Sequence, residues 1–109
     1  ALEGLALILN TVKIIKKTIN PKLVIKGFLP TMYSSQNNLS KETVLNLEQH
    51  FKNKLFKTEN EHGFVVIPRN VRLAESPSFG KPAILYDAKS IGSIAYQNLA
   101  TCVMDIQNG

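Results

Sequence analysis

A nearly continuous apolar segment near the start of the chain limits the folds that this sequence can adopt. Residues 22–33 contain five large apolar side chains with little polar alternation, namely Leu23, Val24, Ile25, Phe28 and Leu29. Such a run is typical of a strand in a parallel sheet that is covered on both faces. Pro30 removes a backbone donor, so we expect the strand to lie at an edge or to end there. A second, short strand is predicted at Phe64–Ile67.

Amphipathic helices alternate with these strands. Apolar residues at three- and four-residue steps predict a helix over residues 1–19 and another over Ser40–Leu55, with Ser40 as its N-cap. A last helix is predicted to follow a cap at Asp87 or Ser90. Its inward face is predicted to consist of Ile91, Ile94, Ala95, Leu99, Val103 and Ile106.

The stretch before the last helix completes the predicted order. Pro68–Pro82 is predicted to be a long loop, and Ala83–Tyr86 a short extended segment. The order helix, strand, helix, strand, loop, helix indicates an α/β fold with parallel strands flanked by helices. A chain of 109 residues is long enough for one domain. Because no stretch reaches about 18 consecutive apolar residues, we expect no membrane partner.

Positive charge is concentrated in the first half of the chain. Residues 1–58 hold nine lysines and three glutamates, a net charge of +6, whereas residues 59–109 hold four basic and five acidic groups, a net charge of −1. A basic region can bind polyanions such as DNA through their phosphates. Solvated helix faces rich in lysine are the alternative, which the charge pattern by itself favours.

The sequence offers no catalytic set and no metal site. It contains no Gly-x-x-x-x-Gly-Lys-Ser/Thr motif for holding phosphates, although Gly80-Lys81 resembles the end of one. His50 and His62 have no ligand partner at a suitable spacing, and Cys102 is predicted to be a small core residue. We therefore predict no catalytic residue and no metal ligand.

The predicted loop contains both arginines of the chain, Arg69 and Arg72. Its prolines stiffen the backbone, and such a loop can present a guanidinium group to a phosphate or a carboxylate. Alternatively, one of the arginines forms a structural ion pair with Glu75. The residues of the loop leave both interpretations open.

The same segment closely resembles a known family. Ile67–Pro82 reads Ile-Pro-Arg-Asn-Val-Arg-Leu-Ala-Glu-Ser-Pro-Ser-Phe-Gly-Lys-Pro. It is similar to the segment Ile-Pro-Arg-Asn-Val-Arg-Leu-x-Glu-Ala-Pro-Ser-x-Gly-Lys-Pro of ParA-type (Soj-like) chromosome and plasmid partitioning ATPases. Further similarities lie at residues 1–5, Leu29–Tyr33 and Tyr86–Gly92. The chain thus resembles the C-terminal portion of such a protein, a single partial domain over residues 1–109.

This resemblance implies the C-terminal part of a P-loop NTPase-like parallel sheet, incomplete without the N-terminal half. In the family, that half carries the P-loop with its two lysines, the switch regions and the Walker-B Asp. We therefore expect neither ATP hydrolysis nor a bound cofactor for this chain alone. The intact family protein binds ATP and Mg²⁺, dimerises on ATP, binds DNA non-specifically and is stimulated by a ParB-type partner. It is cytoplasmic and associated with the nucleoid.

Six residues take family roles through the resemblance. Arg72 occupies the position of a family arginine that contributes to DNA binding, and Lys81 is assigned to the same surface. The border of the nucleoside pocket is assigned to Thr31, Met32, Pro68 and Arg69.

The sequence also departs from the family pattern. Gln36 replaces a family arginine that helps to bind DNA, so one phosphate contact is expected to be weaker. Pro30 replaces an apolar strand residue, and Ser76 replaces Ala. About seven residues, 59–65, are inserted before the Val-Ile-Pro strand.

Three other interpretations are compatible with the same residues. The chain could be a stand-alone, non-enzymatic interaction module, a degenerate remnant without activity, or part of a MinD-type cell-division ATPase. The MinD-type interpretation is disfavoured because residues 104–109 do not provide an amphipathic membrane helix.

Overall fold

The computed structural model describes residues 2–108, and most of its regular structure is helical. Two single 3₁₀ turns, Lys52–Lys54 and Ser76–Phe79, directly follow the second and the third helix. The helices are α1 (Leu2–Thr18), α2 (Asn38–Phe51), α3 (Val71–Glu75), α4 (Ala83–Tyr86) and α5 (Ile91–Asn108).

Residues 2–108 form no regular strand, so the two predicted strands and the parallel sheet are not confirmed. The first predicted strand instead makes two isolated parallel bridges, one between Phe28 and Leu55 and one between Tyr33 and Pro68. Leu55 and Pro68 both lie outside the second predicted strand. Pro30 and Pro68 have no N–H to donate, which limits the growth of these bridges into a ladder. The structure therefore keeps the parallel direction only at two short contacts, which do not extend into a regular sheet.

An excursion of the chain separates the two parallel bridges. From Phe28 to Tyr33 the chain advances five residues. From Leu55 to Pro68 it advances thirteen, which is eight more. The surplus forms a hairpin, here called the 57–64 hairpin, closed by an antiparallel bridge between Lys57 and Phe64. Asn60 supports its turn, because Oδ1 accepts from the N–H groups of His62 (2.9 Å) and Gly63 (2.8 Å). This hairpin coincides with the insertion expected at residues 59–65.

The segment that follows the hairpin lies at the centre of the core. Phe64 and Val66 belong to a cluster on the side of α2, whereas Val65 and Ile67 belong to a cluster on the side of α5. All four side chains are buried. The half-buried Leu5 of α1 packs against the first cluster. Helices therefore cover this apolar segment on both sides, as its composition requires.

Helix α2 begins earlier than predicted. Asn37 is its N-cap instead of Ser40, because Asn37 Oδ1 accepts a hydrogen bond from the N–H of Leu39 at 2.9 Å. An Asn side chain two residues before a free N–H is an effective cap. Helix α2 therefore starts at Asn38 and gives way to the 3₁₀ turn after Phe51.

The region between residues 68 and 86 is more helical than predicted. The predicted loop contains α3 and a 3₁₀ turn, and Ala83–Tyr86 is helical instead of extended. The carbonyl of Pro82 accepts hydrogen bonds from the N–H groups of Leu85 (3.0 Å) and Tyr86 (2.9 Å), which begins this helix. Proline is well suited to a helix start because its own missing N–H costs nothing there.

The buried face of α5 is rotated from the predicted one. Ile91, Ile94 and Ile106 are exposed, while Ala95 is buried as predicted. Gly92 and the fully buried Ser93 take the inner positions of the first turn. A Cβ on Gly92 would lie 2.5 Å from Cγ of Leu73, so only glycine permits this approach of α3. Close helix packing therefore outweighs the burial of the larger isoleucines.

Candidate functional site

Backbone hydrogen bonds bring together the four residues assigned to the nucleoside pocket. The N–H of Tyr33 donates to the carbonyl of Ile67 (3.0 Å), and the N–H of Arg69 donates to the carbonyl of Tyr33 (2.9 Å). This arrangement places Thr31 and Met32 beside Pro68 and Arg69. We call this region, Thr31–Tyr33 with Ile67–Arg69, the bridged edge.

Met32 gives the bridged edge an unusual backbone. Its φ is 53°, in the left-handed region that non-glycine residues rarely adopt. Its side chain is 64% exposed, so core packing does not hold it there. The hydrogen bonds of the neighbouring Tyr33 fix the conformation, which stores strain on the order of 1–3 kcal/mol. Such strain is common where backbone geometry matters for binding.

Two cavities adjoin the bridged edge. The larger measures about 400 Å³, lies between the 57–64 hairpin and α5, and is lined in part by Tyr33, His62 and Pro68. The smaller measures about 250 Å³, lies against α2, and is lined in part by Thr31. A volume near 400 Å³ is within the range of small-molecule sites. Met32 lines neither cavity.

Arg72 forms a side-chain cluster with Glu75, Tyr86 and Asp87, here called the Arg72 cluster. Its Nη1 donates to Glu75 Oε2 at 3.1 Å, and its Nε lies 3.4 Å from Asp87 Oδ2. The hydroxyl of Tyr86 donates to the same Glu75 oxygen at 2.7 Å. The guanidinium carbon also lies 5.9 Å from the centre of the Tyr86 ring, within cation–π range. The predicted alternative of an ion pair with Glu75 is therefore correct for Arg72.

The contacts within the Arg72 cluster shift two proton equilibria. The pKa of Arg72 lies above its usual value, first because of its hydrogen bond with Tyr86 and then because of the charge of Glu75. The pKa of Tyr86 is also raised, mainly by the hydrogen bond that its hydroxyl donates to the Glu75 carboxylate. The cluster thus favours a charged guanidinium beside a neutral phenol.

The short helices around the cluster are fixed to α5 by two serines. Ser93 is fully buried, and its hydroxyl donates to the carbonyl of Ala83 in α4 at 3.0 Å. The hydroxyl of Ser90 lies 3.0 Å from that of Ser93 and accepts from the N–H of Ser93 at 3.2 Å. On the other side of α4, the ring of Phe79 stacks on Tyr86 with centroids 4.8 Å apart. Helix α4 therefore has a defined position on α5.

The remaining basic residues of this region are exposed. Lys81 follows Gly80, whose φ of 64° ends the 3₁₀ turn, and the N–H of Lys81 is 3.3 Å from the carbonyl of Ser76. Arg69 is exposed at the bridged edge. Sequence reasoning offered an ion pair of Arg69 or Arg72 with Glu75 as one of two open interpretations, and the structure shows it for Arg72. Sequence reasoning missed Tyr86 and Asp87 as partners of Arg72, because no local pattern links residues that far apart.

Three further observations concern chemistry outside these sites. Within residues 2–108, no three His, Cys, Asp or Glu side chains are grouped so that they could hold a metal ion. Cys102 packs against the α5 core cluster, and its Sγ lies 3.0 Å from the carbonyl of Lys57. Among the described helices, none has both the length and the apolar character needed to cross a membrane.

Comparison with curated proteins finds bacterial partitioning proteins. The chain is 46% identical over 100 residues to the sporulation initiation inhibitor protein Soj of Bacillus subtilis (strain 168). It is 44% identical over 100 residues to the chromosome partitioning protein ParA of Caulobacter vibrioides. It is 43% identical over 104 residues to the chromosome-partitioning ATPase Soj of Thermus thermophilus. No family model matches the sequence.

These alignments cover nearly the whole chain but a minor part of each relative. They include 92% of this chain with the Bacillus and Caulobacter proteins and 95% with the Thermus protein. The chain spans 37%, 35% and 39% of those three relatives. Its relatives are thus partitioning proteins, and the matched region is their C-terminal part. The chain is homologous to the C-terminal part of the ParA/Soj chromosome-partitioning ATPases.

Proposed function

We propose that residues 1–109 act as the C-terminal portion of a ParA-type partitioning ATPase. In that role they contribute one border of a nucleoside pocket and part of a non-specific DNA-binding surface. The observation that carries the proposal is the identity of 42–46% to Soj and ParA proteins over at least 92% of the chain. The comparisons do not favour the stand-alone module, the remnant or the MinD-type interpretation.

Two structural features support this proposal. At the bridged edge, backbone hydrogen bonds of Tyr33 hold the segment that contains Thr31 and Met32 next to the segment that contains Pro68 and Arg69, which is compatible with a shared border.

Helix α1 carries Leu7, Ile8 and Ile14 in exposed positions. An apolar surface of this kind in a soluble protein is usually covered by another part of the assembly. The larger part of the relatives that this chain does not match is a suitable cover.

The assembly proposed for the intact protein follows the family. ATP and Mg²⁺ are bound mainly by the N-terminal part, dimerisation follows ATP binding, and the dimer binds DNA through its backbone. A ParB-type protein stimulates hydrolysis, and the complex works in the cytoplasm on the nucleoid, in segregation of a chromosome or a plasmid. Arg72 and Lys81 are the DNA-contacting residues that we assign to this chain, which supplies no catalytic residue by itself.

A hybrid protein tests the proposal. Residues 1–109 replace the matching C-terminal part of Thermus thermophilus Soj, and binding of ATP and of a DNA duplex is titrated at fixed salt. Arg72→Ala is expected to weaken DNA binding and to leave ATP binding largely intact, because a single phosphate contact is lost. The slope of the logarithm of DNA affinity against the logarithm of salt concentration should become shallower by about one.

A matched variant separates a local contact from total charge. Lys41→Ala removes one positive charge from α2, outside the assigned surface, and is expected to change DNA affinity less than Arg72→Ala. Thr31→Ala, at an exposed residue of the bridged edge, is expected to weaken ATP binding and to spare DNA binding. Equal DNA affinities of the Arg72 and Lys41 variants would contradict the DNA-binding assignment.

A further inference from the structure

We propose that Glu75, Tyr86 and Asp87 act as a brake on DNA binding, because they compete with phosphate for the guanidinium of Arg72. This inference rests on the DNA contact proposed for Arg72 and adds three residues that set its strength. DNA binds tightly at this surface only when the guanidinium exchanges a carboxylate of the chain for a phosphate of the duplex.

The donors of Arg72 are the first argument. A guanidinium binds phosphate best with two parallel N–H groups from neighbouring nitrogens. Here Nη1 donates to Glu75 (3.1 Å) and lies 3.5 Å from the hydroxyl oxygen of Tyr86, so both of its recorded contacts lie within the cluster. Nε lies 3.4 Å from an oxygen of Asp87, so a phosphate that binds Nε and Nη2 comes close to this carboxylate. A bidentate phosphate contact therefore either competes with the partners of Nη1 or approaches the negative charge of Asp87.

The local charge is the second argument. Within the Arg72 cluster, one guanidinium faces two carboxylates, so the three groups carry a net charge of −1. The attraction between Arg72 and an approaching phosphate is opposed by both acids at similar distances. Since non-specific DNA affinity comes from phosphate neutralisation, an arginine in this state contributes less than its formal charge suggests.

The neutral hydroxyl of Tyr86 holds the carboxylate of Glu75 in place. Its hydroxyl donates to Glu75 at 2.7 Å, and its ring lies beneath the guanidinium at 5.9 Å. Stacking on Phe79 and the position of α4 keep the ring there. Loss of the hydroxyl would free Glu75 to move while leaving the charge of the protein unchanged.

The cluster is exposed enough for exchange to occur. The side chains of Arg72 and Glu75 are 47% and 38% exposed, and that of Asp87 is 36% exposed. Ion pairs at such positions are weak, each worth about a twofold to fivefold change in an equilibrium constant. A DNA phosphate can therefore displace them, and their removal should be measurable as tighter binding.

The test is a mutant cycle in the hybrid with Thermus thermophilus Soj described above, with ATP present and a fluorescently labelled DNA duplex, at low and constant salt. Tyr86→Phe and Glu75→Gln are each expected to tighten binding by about twofold to fivefold. Asp87→Asn should act in the same direction and serves as a third release variant. Arg72→Ala should weaken binding more strongly in the Glu75→Gln background than in the unchanged hybrid, because only released arginine contacts DNA fully.

The matched control is Glu61→Gln, which removes the same charge from a carboxylate that faces His62 instead of an arginine. Circular dichroism verifies that each variant keeps its helices. A gain in Glu61→Gln equal to that in Glu75→Gln would overturn the brake, since total charge would then explain both. Weaker binding in Tyr86→Phe would also overturn it, because the tyrosine would then be positioning Arg72 for DNA.

The cycle distinguishes this inference from the proposed function. If Arg72→Ala weakens DNA binding equally in the unchanged protein and in the Glu75→Gln background, the brake is rejected and the DNA contact of Arg72 is retained. No loss in either background rejects the DNA contact itself. Absence of DNA binding in the unchanged hybrid and in all three release variants rejects the proposed DNA-binding surface, and the brake with it.

Discussion

The bridged edge and the Arg72 cluster are held by different kinds of interaction. At the bridged edge, backbone N–H and carbonyl groups make the connections, and the side chains of Thr31 and Met32 remain exposed. In the Arg72 cluster, every connection is made by a side chain. The first region can therefore tolerate side-chain changes while keeping its geometry. The second depends on the identity of four residues, two in α3, one in α4 and one directly after α4.

The largest expected effect comes from Gly27→Ala, which disturbs the backbone next to the parallel bridge between Phe28 and Leu55. A Cβ at Gly27 would lie 2.7 Å from the carbonyl oxygen of Lys54, the group that accepts the N–H of Phe28. Gly27→Ala should therefore lower the free energy of unfolding by about 1–3 kcal/mol. Urea unfolding of the full chain, followed by circular dichroism, measures the loss.

Gly4→Ala is the control for this substitution. Gly4 lies in α1 and has no atom within 4 Å of the added Cβ, so alanine there should be neutral or slightly stabilising. If Gly27→Ala unfolds at the same urea concentration as the unchanged chain, the parallel bridge is not a source of stability.

A smaller effect is expected when the support of the Arg72 cluster is weakened. Ser93→Ala removes the buried hydroxyl that donates to the carbonyl of Ala83 and should cost about 1 kcal/mol. Ser78→Ala, at an exposed position, is the matched control. Equal stability of the two variants would mean that the Ser93 hydrogen bond does not hold α4 on α5.

The smallest expected effect is a shift in the ionisation of one phenol. Because the hydrogen bond to Glu75 raises the pKa of Tyr86, Glu75→Gln should move its titration to lower pH. The raised pKa means that Tyr86 contributes stability fully below its ordinary pKa of 10, and that this contribution is lost as pH rises through the folded value. Ultraviolet absorbance, with Tyr86→Phe subtracted, isolates this phenol from the other two tyrosines. An identical titration with and without Glu75 would exclude the hydrogen bond as the cause.

Sequence patterns predicted the parts of this molecule that depend on local repetition. The long helices follow from apolar spacing. An ion pair of Arg69 or Arg72 with Glu75 was one of two open interpretations of the loop, and the structure shows it for Arg72. The resemblance to ParA-type proteins was read from Ile67–Pro82 and is confirmed by the comparisons.

The features that depend on distant contacts were not predictable in the same way. Strand formation needs a regular ladder, which the prolines and the 57–64 hairpin interrupt. The isoleucines of α5 were expected inside, but Gly92 and Ser93 allow a closer approach of the neighbouring helices. Tyr86 joins the Arg72 cluster only because α4 folds back beside α3. The roles of Thr31, Met32, Pro68, Arg69, Arg72 and Lys81 stay predictions.

The 57–64 hairpin has a consequence for how this chain can be altered. Its eight surplus residues leave the hydrogen bonds of the bridged edge intact, so a length change at this position is absorbed locally. The exposed Glu59, Asn60 and Glu61 form its outer part. Exposed turns of this kind accept added sequence readily. The hairpin is therefore a natural attachment point for an epitope or a fluorescent label that would report on the protein in cells without shifting the register of its core.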